Sequence, residues 1–400
     1  MIEKNTQRNR RLPLCVLTTT RADYGILRPL LFRFLEDNAF DLRVAVSGTH
    51  LSQAFGMTVG EIEEDGIPID CRIPILLEEN SSPVTMSRIM ARALEGFSAY
   101  FEMRRPELLI VLGDRFETFA ICASAVNSRI PIAHLHGGET TEGAMDECFR
   151  HAITKMSCLH FTSTEIYRKR VIQLGEDPSR VFNVGAMGVE NALHVKRIPP
   201  DQIAHDLAFP LFEKPYAVVT YHPVTLELDS ALEQIENLLS AIHEYKDWNF
   251  LITKSNADLG GEHINQMLDS FAETHKNCCV VSSLGMRRYM SVLDGAMCVM
   301  GNSSSGIIEV PSFGIPTINI GDRQRGRVPA DSVINCLPVK EDILRALDLA
   351  QSKEFRSKAA ASVNPYGDGK TSERIYQIIK NTLSAGTLGL KKVFYDIPLD

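Results

Sequence analysis

The stretch from Cys298 to Gly321, CVMGNSSSGIIEVPSFGIPTINIG, decides the fold class. It predicts a short buried strand, a loop of small polar residues (GNSSSG), a helix, and a second strand that begins at Ile315. This succession is typical of the βαβ unit of a parallel sheet. The backbone amides at the start of such a helix are suited to an anion, and the hydroxyls of Ser303 and Ser304 favour a diphosphate over a single carboxylate.

The same pattern recurs along the rest of the chain. Apolar, β-branched runs predict a first series of strands from Leu12, Leu42, Glu107, Ile130, Leu159 and Val181, and a second series from Tyr216, Asn249, Cys278, Ala296, Ile315 and Val333. Amphipathic stretches lie between these runs, which predicts an α/β protein with mainly parallel sheets. Four prolines between Asn191 and Pro215 predict a domain boundary there. Two sheets that face each other would form a cleft, and the amphipathic stretch from Ser372 predicts a last helix.

Composition excludes several classes of protein. The 400 residues are 44% hydrophobic and 23% charged, as in globular proteins, and the net charge of −8 argues against a nucleic-acid partner. The nine cysteines form no C-x-x-C pair and lie mostly in apolar runs, which predicts reduced thiols and a cytoplasmic protein. The apolar run after the basic N-terminus is too short for a signal or membrane segment, so we expect no membrane partner.

Candidate reactive groups follow the predicted strands of the first half. Arg21 follows the first strand and is suited to hold a leaving diphosphate, or else is a surface arginine at a helix cap. Asp114 ends the apolar run ELLIVLGD, where a carboxylate can be partly desolvated. His134 and His136 share one face of the strand IPIAHLH, and Asp146 follows on a predicted helix. The histidine pair invites a zinc interpretation, but no third ligand stands at a recognisable spacing, so we predict no metal. The alternative for each group is a structural role at a strand–helix junction.

The second half offers a nucleotide site. Glu309, on the helix after the GNSSSG loop, is suited to accept hydrogen bonds from both ribose hydroxyls, and Arg323 lies in a loop whose arginines can supply charge to phosphates. The alternative is a helix cap of Asn and Ser with solvated arginines. His222 ends the first strand of this half and faces either the cleft or an interdomain contact. No G-x-G-x-x-G motif is present, so we predict no nicotinamide or flavin cofactor.

Taken together, these blocks resemble the hydrolysing UDP-N-acetylglucosamine 2-epimerases of sialic acid biosynthesis. The resemblance covers nearly the whole chain and rests on TRADYGILRPLL, SGTHLSQAFGMT, VLGDRFE, HLHGGETTEGAMDECFRHAITKMSCLHFTST, VIQLGEDPSRVFNVGAMGVEN, YHPVT, KSNAD, GNSSSGIIEVPSFGIPTINIGDRQRGR, NPYGDG and FYDIP. It implies a GT-B fold, in which two Rossmann-like domains with parallel sheets flank a central cleft. The implied domains are residues 1–190 with the C-terminal helix and tail 372–400, and residues 191–371, the nucleotide-binding domain.

The resemblance also implies roles for individual residues. The positions that match the family's UDP site are Arg21, His222, Asn256, Asn302, Ser303, Ser304, Glu309 and Arg323. Among these, Arg21 and His222 match the diphosphate side, while Asp114 and Asp146 match the acid–base positions. The implied reaction starts with loss of the C2 proton and anti elimination of UDP to give 2-acetamidoglucal. Water then adds at C1 and C2 is reprotonated on the opposite face, which yields N-acetylmannosamine. The implied partners are a UDP-sugar and further copies of the chain in a homo-oligomer.

Three questions stay open at this point. Several relatives carry Glu where this chain has His136, so either His136 takes over the proton transfer or Glu139 reaches in from the loop; we favour His136. The substrate is either UDP-N-acetylglucosamine or UDP-2,4-diacetamido-2,4,6-trideoxyglucose of the legionaminic acid pathway. Two further classes are a GT-B glycosyltransferase, which has the same nucleotide site, and a nucleotide-sugar sensor that binds without turnover.

Overall fold

The computed structural model describes residues 11–77, 82–140, 145–222, 228–255 and 261–398. These residues form two compact units. The first unit comprises residues 11–139, 145–187 and 370–398, and the second comprises Thr140 and residues 188–369. Among the described residues, none of the helices combines the length and the apolar composition that a membrane span requires.

Each unit contains one parallel sheet. The strands of the first unit are β1 Leu12–Thr18, β2 Phe40–Ser47, β3 Ile69–Ile73, β4 Leu108–Leu112, β5 Ile132–Leu135, β6 Leu159–Thr162 and β7 Val181–Asn183, in the order β3-β2-β1-β4-β5-β6-β7. Those of the second unit are β8 Tyr216–Thr220, β9 Asn249–Thr253, β10 Cys278–Val281, β11 Cys298–Gly301, β12 Thr317–Ile320 and β13 Val333–Cys336, in the order β10-β9-β8-β11-β12-β13. The strand order reverses direction between β1 and β4 and between β8 and β11. Open α/β sheets bind ligands at such switch points, outside the carboxyl ends of the strands.

Helices cover both faces of each sheet. In chain order they are α1 Arg21–Glu36, α2 Val59–Glu64, α3 Pro83–Met103, α4 Phe116–Asn127, α5 Asp146–Met156, α6 Glu165–Gln173, α7 Met187–His194, α8 Pro200–Leu207, α9 Leu228–Glu244, α10 Gly261–Thr274, α11 Gly285–Leu293, α12 Ser305–Ile308, α13 Lys340–Gln351, α14 Lys353–Ala360 and α15 Thr371–Ser384. The last of these, α15, is the helix that the amphipathic pattern predicts, and it belongs to the first unit.

The core of each unit lies on both sides of its sheet. In β1, Leu14 and Val16 pack with apolar side chains of α1 and α15, while Cys15 and Leu17 pack with those of α3 and α4. A strand that is buried on both faces needs apolar residues at successive positions, which is why these strands are continuous apolar runs. Burying each such side chain contributes about 2 kcal/mol relative to leaving it exposed.

The predicted fold class is confirmed, and one strand was missed. Both predicted strand series are present, as β1, β2 and β4 to β13. The structure adds β3, whose sequence IDCRI is half-exposed at the edge of the first sheet and pairs only with β2. Because this edge strand alternates polar and apolar residues over only five positions, it lacks the apolar run that marks the other strands.

Candidate active site

His134 joins the carboxyl ends of β4 and β5 in the first sheet. It is fully buried at the carboxyl end of β5, and its Nε2 donates a hydrogen bond of 2.8 Å to the carbonyl of Gly113. Its Nδ1 therefore accepts from the hydroxyl of Thr154 at 3.1 Å. Burial lowers the pKa of His134 to about 3, so the ring is neutral. Both ring nitrogens are thus occupied by protein groups, and His134 holds the turn that presents Asp114.

Asp114 is paired with a buried cation. The Arg150 guanidinium, on α5, donates to the Asp114 carboxylate and also to the carbonyl of His136 at 3.0 Å. The Arg150 side chain is only 5% exposed, so this ion pair is well shielded from water. One arginine therefore joins the ends of β4 and β5, and it brings Asp114 and His136, both predicted from the sequence, to the same place.

His136 and Glu139 form a second polar pair. The Nδ1 of His136 lies 3.2 Å from Oε1 of Glu139. The Glu139 side chain is 3% exposed and accepts a 2.7 Å hydrogen bond from the hydroxyl of Ser163. The backbone of His136 has φ of +64°, a conformation that non-glycine residues rarely adopt. Such backbone is found where a structure positions a functional side chain.

Asp146 is a carboxylate with a raised pKa. It is the first residue of α5, where it is partly exposed. Burial, and then the charge of Asp114, raise the pKa of Asp146 to about 6, against the opposing charges of Arg115 and Arg150. A carboxyl group that titrates near neutrality can both give and take a proton during turnover. The first unit thus gathers three predicted residues, Asp114, His136 and Asp146, around one arginine.

Sequence analysis missed Arg115, the N-cap residue of α4. Its guanidinium pairs with the buried carboxylate of Glu117. Burial by itself would lower the pKa of Arg115, but Glu117 and Asp23 raise it, so the side chain is a permanent cation. Asp23 in turn accepts from the hydroxyl of Thr19 at 2.8 Å and from the N–H of Thr20 at 3.1 Å. The motif VLGDRFE could have indicated Arg115, because this arginine follows Asp114 directly at the end of a strand, where open α/β sheets bind ligands.

Arg21 stands at the start of α1, and its Nε lies 2.7 Å from the carboxylate of Glu61 on α2. Both side chains of this pair are more than 40% exposed, so the pair is screened by water. The predicted role of Arg21 at a diphosphate stays a prediction.

In the second unit, Asn302 joins the ends of β8 and β11. Its side-chain Oδ1 accepts from the N–H of His222, and its Nδ2 donates to the carbonyl of His222, each at 2.7 Å. The backbone carbonyl of Asn302 accepts from Arg323 at 3.0 Å and from Gln324 at 2.8 Å. Three predicted UDP residues, His222, Asn302 and Arg323, therefore form one hydrogen-bonded group at the switch point. A side chain added at Gly301 would overlap the carbonyl of Thr220, so the close approach of the two strands requires glycine.

His222 is a neutral imidazole. Burial, and then the charge of Arg323, lower the pKa of His222 to about 4. Its Nδ1 lies 3.4 Å from the hydroxyl of Ser255. At neutral pH this side chain is therefore a hydrogen-bonding group and not a cation, and its predicted place on the diphosphate side of a UDP site stays a prediction.

The GNSSSG loop leads into a shorter helix than the sequence predicts. The α-helical part, α12, has only four residues, and a 3-10 helix, Val310–Phe313, follows it. Glu309 is the residue between the two, so it ends the first turn instead of lying within a longer helix. Its Oε1 lies against Gly188 of α7, where a β-carbon would overlap it. The hydroxyl of Ser303 accepts from the N–H of Ser305 at 3.4 Å, which is a local cap.

Two further predicted UDP residues are Ser304 and Asn256. Ser304 is the N-cap residue of α12 and makes no side-chain capping bond there. Asn256 lies outside the described residues. Within the part of the chain that the structure describes, no group of three or more His, Cys, Asp or Glu side chains is arranged to hold a metal ion.

Known proteins are similar to this chain in sequence and in fold. Residues 33–380 match the UDP-N-acetylglucosamine 2-epimerase family. The polysialic acid biosynthesis protein P7 of Escherichia coli is 40% identical over 383 residues, which are 96% of this chain and 97% of that protein. The hydrolysing GDP/UDP-N,N'-diacetylbacillosamine 2-epimerase of Campylobacter jejuni is 36% identical over 385 residues, 96% of this chain and 99% of that protein. The hydrolysing UDP-N,N'-diacetylbacillosamine 2-epimerase of Legionella pneumophila is 36% identical over 364 residues, 91% and 94% of the two chains.

Solved structures agree with the predicted GT-B fold class. The UDP-GlcNAc 2-epimerase of Neisseria meningitidis bound to UDP-GlcNAc superposes with a TM-score of 0.78 at 19% identity, over 92% of this chain and 100% of that one. The Methanocaldococcus jannaschii UDP-GlcNAc 2-epimerase in complex with UDP-GlcNAc and UDP gives 0.75 at 18% identity, over 92% and 100%. These structures show the fold alone, because their sequence identity is low. The family is shown by the match of residues 33–380 to the family and by the more similar relatives. The chain belongs to the UDP-N-acetylglucosamine 2-epimerase family.

Proposed function

We propose that the protein is a hydrolysing UDP-sugar 2-epimerase that converts UDP-N-acetylglucosamine and water to N-acetylmannosamine and UDP. The observation that carries this proposal is the group formed by Asp114, His136 and Asp146 beyond the carboxyl ends of β4 and β5. It combines a carboxylate paired with Arg150, an imidazole, and a carboxyl group whose pKa is raised to about 6. Acid and base groups clustered with a shifted pKa are typical of sites that transfer protons, which supports an enzyme over a protein that only binds nucleotides.

The first unit supplies the groups that act on the sugar. Removing the weakly acidic C2 proton needs a base in contact with it, and restoring a proton on the opposite face needs an acid. His136 is suited to these transfers because an imidazole nitrogen can accept or donate a proton, and Asp146 because its pKa is raised to about 6. Departure of UDP creates negative charge at the leaving oxygen. Arg21 and Arg115 lie at the starts of helices that follow β1 and β4, and their positive charges are suited to offset it.

The second unit supplies the groups that bind UDP. Arg323 and the neutral His222 provide a cation and a hydrogen-bonding ring for the diphosphate, both attached to Asn302. The N-terminal amides after the GNSSSG loop and the hydroxyls of Ser303 and Ser304 add donors for phosphate oxygens. Glu309 provides a carboxylate for the ribose hydroxyls.

A second substrate has support from the relatives. The Escherichia coli relative is named for polysialic acid biosynthesis, which favours UDP-N-acetylglucosamine. The Campylobacter jejuni and Legionella pneumophila relatives, only slightly less similar, are named as hydrolysing epimerases of N,N'-diacetylbacillosamine nucleotides. The sugar of UDP-2,4-diacetamido-2,4,6-trideoxyglucose has an acetamide at C4 and no hydroxyl at C6. An enzyme adapted to one sugar rejects the other through hydrogen bonds that the wrong sugar leaves unmade.

An NMR time course in deuterated water tests the proposal. The purified protein is incubated separately with UDP-N-acetylglucosamine and with UDP-2,4-diacetamido-2,4,6-trideoxyglucose. We expect free UDP and a manno-configured sugar that carries deuterium at C2, and the sugar that is consumed faster identifies the substrate. Binding without consumption of either sugar would overturn the proposal in favour of a glycosyltransferase or a sensor.

Two substitutions make this test specific. Asp114→Asn removes the carboxylate paired with Arg150, and we expect it to lower kcat at least about 100-fold while UDP still binds. Asp41→Asn is the matched control, because it breaks an Asp–Arg pair with Arg43 near the amino end of β2, away from the strand ends that form the site. We expect the control to keep its turnover.

A further inference from the structure

The imidazole of His136 contacts a hydrogen-bond acceptor at one ring nitrogen and a hydrogen-bond donor at the other. Oε1 of Glu139 lies 3.2 Å from Nδ1, and the backbone N–H of Met187 points at Nε2 from 3.4 Å. A carboxylate can only accept a hydrogen bond and a backbone N–H can only donate one. Nδ1 must therefore carry the ring proton, and Nε2 must carry the lone pair. Two independent contacts select the same tautomer.

Glu139 is itself fixed in place. Its side chain is 3% exposed, and the hydroxyl of Ser163 donates to it at 2.7 Å. The guanidinium of Arg150 lies 4.0 Å from its other oxygen and balances the charge of this buried carboxylate. Because Glu139 is enclosed by these partners, its carboxylate does not reach a sugar. The weaker contact is at Nε2, since 3.4 Å is long for a hydrogen bond, and this is the nitrogen that a substrate can engage.

The backbone fixes the direction of the ring. The N–H of His136 donates to the carbonyl of Phe161 at 2.8 Å, and its carbonyl accepts from Arg150 at 3.0 Å. These two bonds hold the left-handed backbone at φ of +64°, a conformation that is unfavourable for a non-glycine residue. The ring is therefore oriented before any ligand binds.

We infer that Glu139 is the positioning residue that makes His136 a base through Nε2, an inference that rests on the proposed function. In the elimination step the C2–H bond breaks, and the proton moves to Nε2. The electron pair of that bond forms the C1–C2 double bond, and the C1–O bond breaks as UDP departs with its electrons. Nδ1 keeps its proton, and the positive imidazolium faces the negative carboxylate of Glu139, which stabilises it.

The tautomer is measured directly by NMR of the full-length protein labelled with ¹⁵N-histidine. Long-range ¹H–¹⁵N spectra distinguish a protonated ring nitrogen from one that carries a lone pair, and the His136 signals are assigned by their loss in His136→Asn. We expect the Nδ1–H form in the unmodified protein at a pH where the ring is neutral. In Glu139→Gln, whose amide both donates and accepts, we expect a mixture of the two tautomers.

Turnover gives the second measurement. We expect Glu139→Gln to lower kcat about 100-fold with KM for the UDP-sugar unchanged, because a base in the wrong tautomer loses its function without affecting binding. Ser163→Ala removes one support of Glu139 and should lower kcat about 10-fold, which keeps the test valid if Glu139→Gln fails to fold. Glu176→Gln is the matched control: Glu176 is also buried and lies 2.9 Å from a buried histidine, His160, near the amino end of β6. We expect it to leave the kcat and the His136 signals unchanged.

The outcomes separate this inference from the proposed function. An Nε2–H tautomer in the unmodified protein, or a Glu139→Gln variant with kcat within about threefold of normal, would overturn the role of Glu139. If Glu139→Gln changes the tautomer but His136→Asn keeps full turnover, the role of His136 in the proposed function fails, while the positioning of the ring by Glu139 stands.

Discussion

The side-chain amide of Asn302 and the backbone of His222 hold each other by a two-way hydrogen bond of 2.7 Å in each direction. The two residues are 80 positions apart in the chain, and the bond joins the carboxyl ends of the neighbouring strands β8 and β11 at the switch point of the second sheet. Arg323 and Gln324 both donate to the Asn302 carbonyl. The amide of Asn302 is therefore used to orient its neighbours, and the resemblance to a family predicted its importance without indicating this use.

Asn302→Ala should lower both stability and UDP affinity. It leaves the buried N–H and carbonyl of His222 without partners, which costs about 2 to 4 kcal/mol of the free energy of unfolding. Denaturant unfolding and calorimetric titration with UDP measure the two effects. Asn277→Ala is the control, since its amide donates to two carbonyls, of Tyr245 and Trp248, near the amino end of β10. We expect the control to lose stability but to bind UDP normally; equal losses of affinity would contradict a local role for Asn302.

Gly188→Ala should weaken UDP binding although it changes no residue of the GNSSSG loop. The new β-carbon would overlap Oε1 of Glu309, so the carboxylate has to move away from its place. We expect the same loss of UDP affinity as for Glu309→Ala, and a smaller loss for inorganic diphosphate, because the ribose is the proposed partner of Glu309. Calorimetry with both ligands checks this. Gly60→Ala, at a helical glycine with open space around it, should change neither affinity.

Asp146→Asn should reduce turnover and increase stability above pH 6. Because the pKa of Asp146 is raised to about 6 in the folded protein, its ionised form opposes folding. That cost is absent below about pH 4, grows between about pH 4 and pH 6, and is constant at higher pH. We expect the variant to be more stable than the unmodified protein at pH 8 by about 3 kcal/mol at most, with no difference at pH 4, as measured by urea unfolding.

The same variant should lower kcat at least about 100-fold at every pH. Glu165→Gln is the matched control, because Glu165 is likewise an acidic residue at the start of a helix, α6, and pairs with Arg168 on the surface. Full turnover in Asp146→Asn would remove this residue from the mechanism.

Turnover should survive EDTA and need no added NAD. His134 has no lone pair to offer a metal, since Gly113 and Thr154 occupy its two ring nitrogens. Because the ring nitrogens of His134 already have protein partners, we expect the histidine pair to bind no zinc ion. Activity assays before and after dialysis against the chelator test this. Full inhibition that zinc reverses would return the histidine pair to consideration as a metal site.

Much of the fold is predictable because each element depends on its own sequence. The apolar runs that became β1, β2 and β4 to β13 are buried on both faces by helices, so their composition alone marks them. Two elements differ from the prediction for local reasons. The strand β3 is a half-exposed edge strand, so it lacks a continuous apolar run. The helix α12 ends after one turn, just before Pro311, which has no backbone N–H for an α-helical hydrogen bond.

By itself the sequence determined the two series of strands, the family, and most of the polar residues at the strand ends. It did not determine which of those residues hold one another. Asp114 and Arg150 are 36 positions apart, and their pairing depends on the order of β4 and β5 in the sheet. Packing likewise brings Arg115, at the start of α4, close to Asp23 of α1, whereas the contacts of His136 with Glu139 and of Arg115 with Glu117 are local in the chain. Burial and charge then act on these pairs through space, and only the tertiary structure brings the groups close enough for either effect to operate.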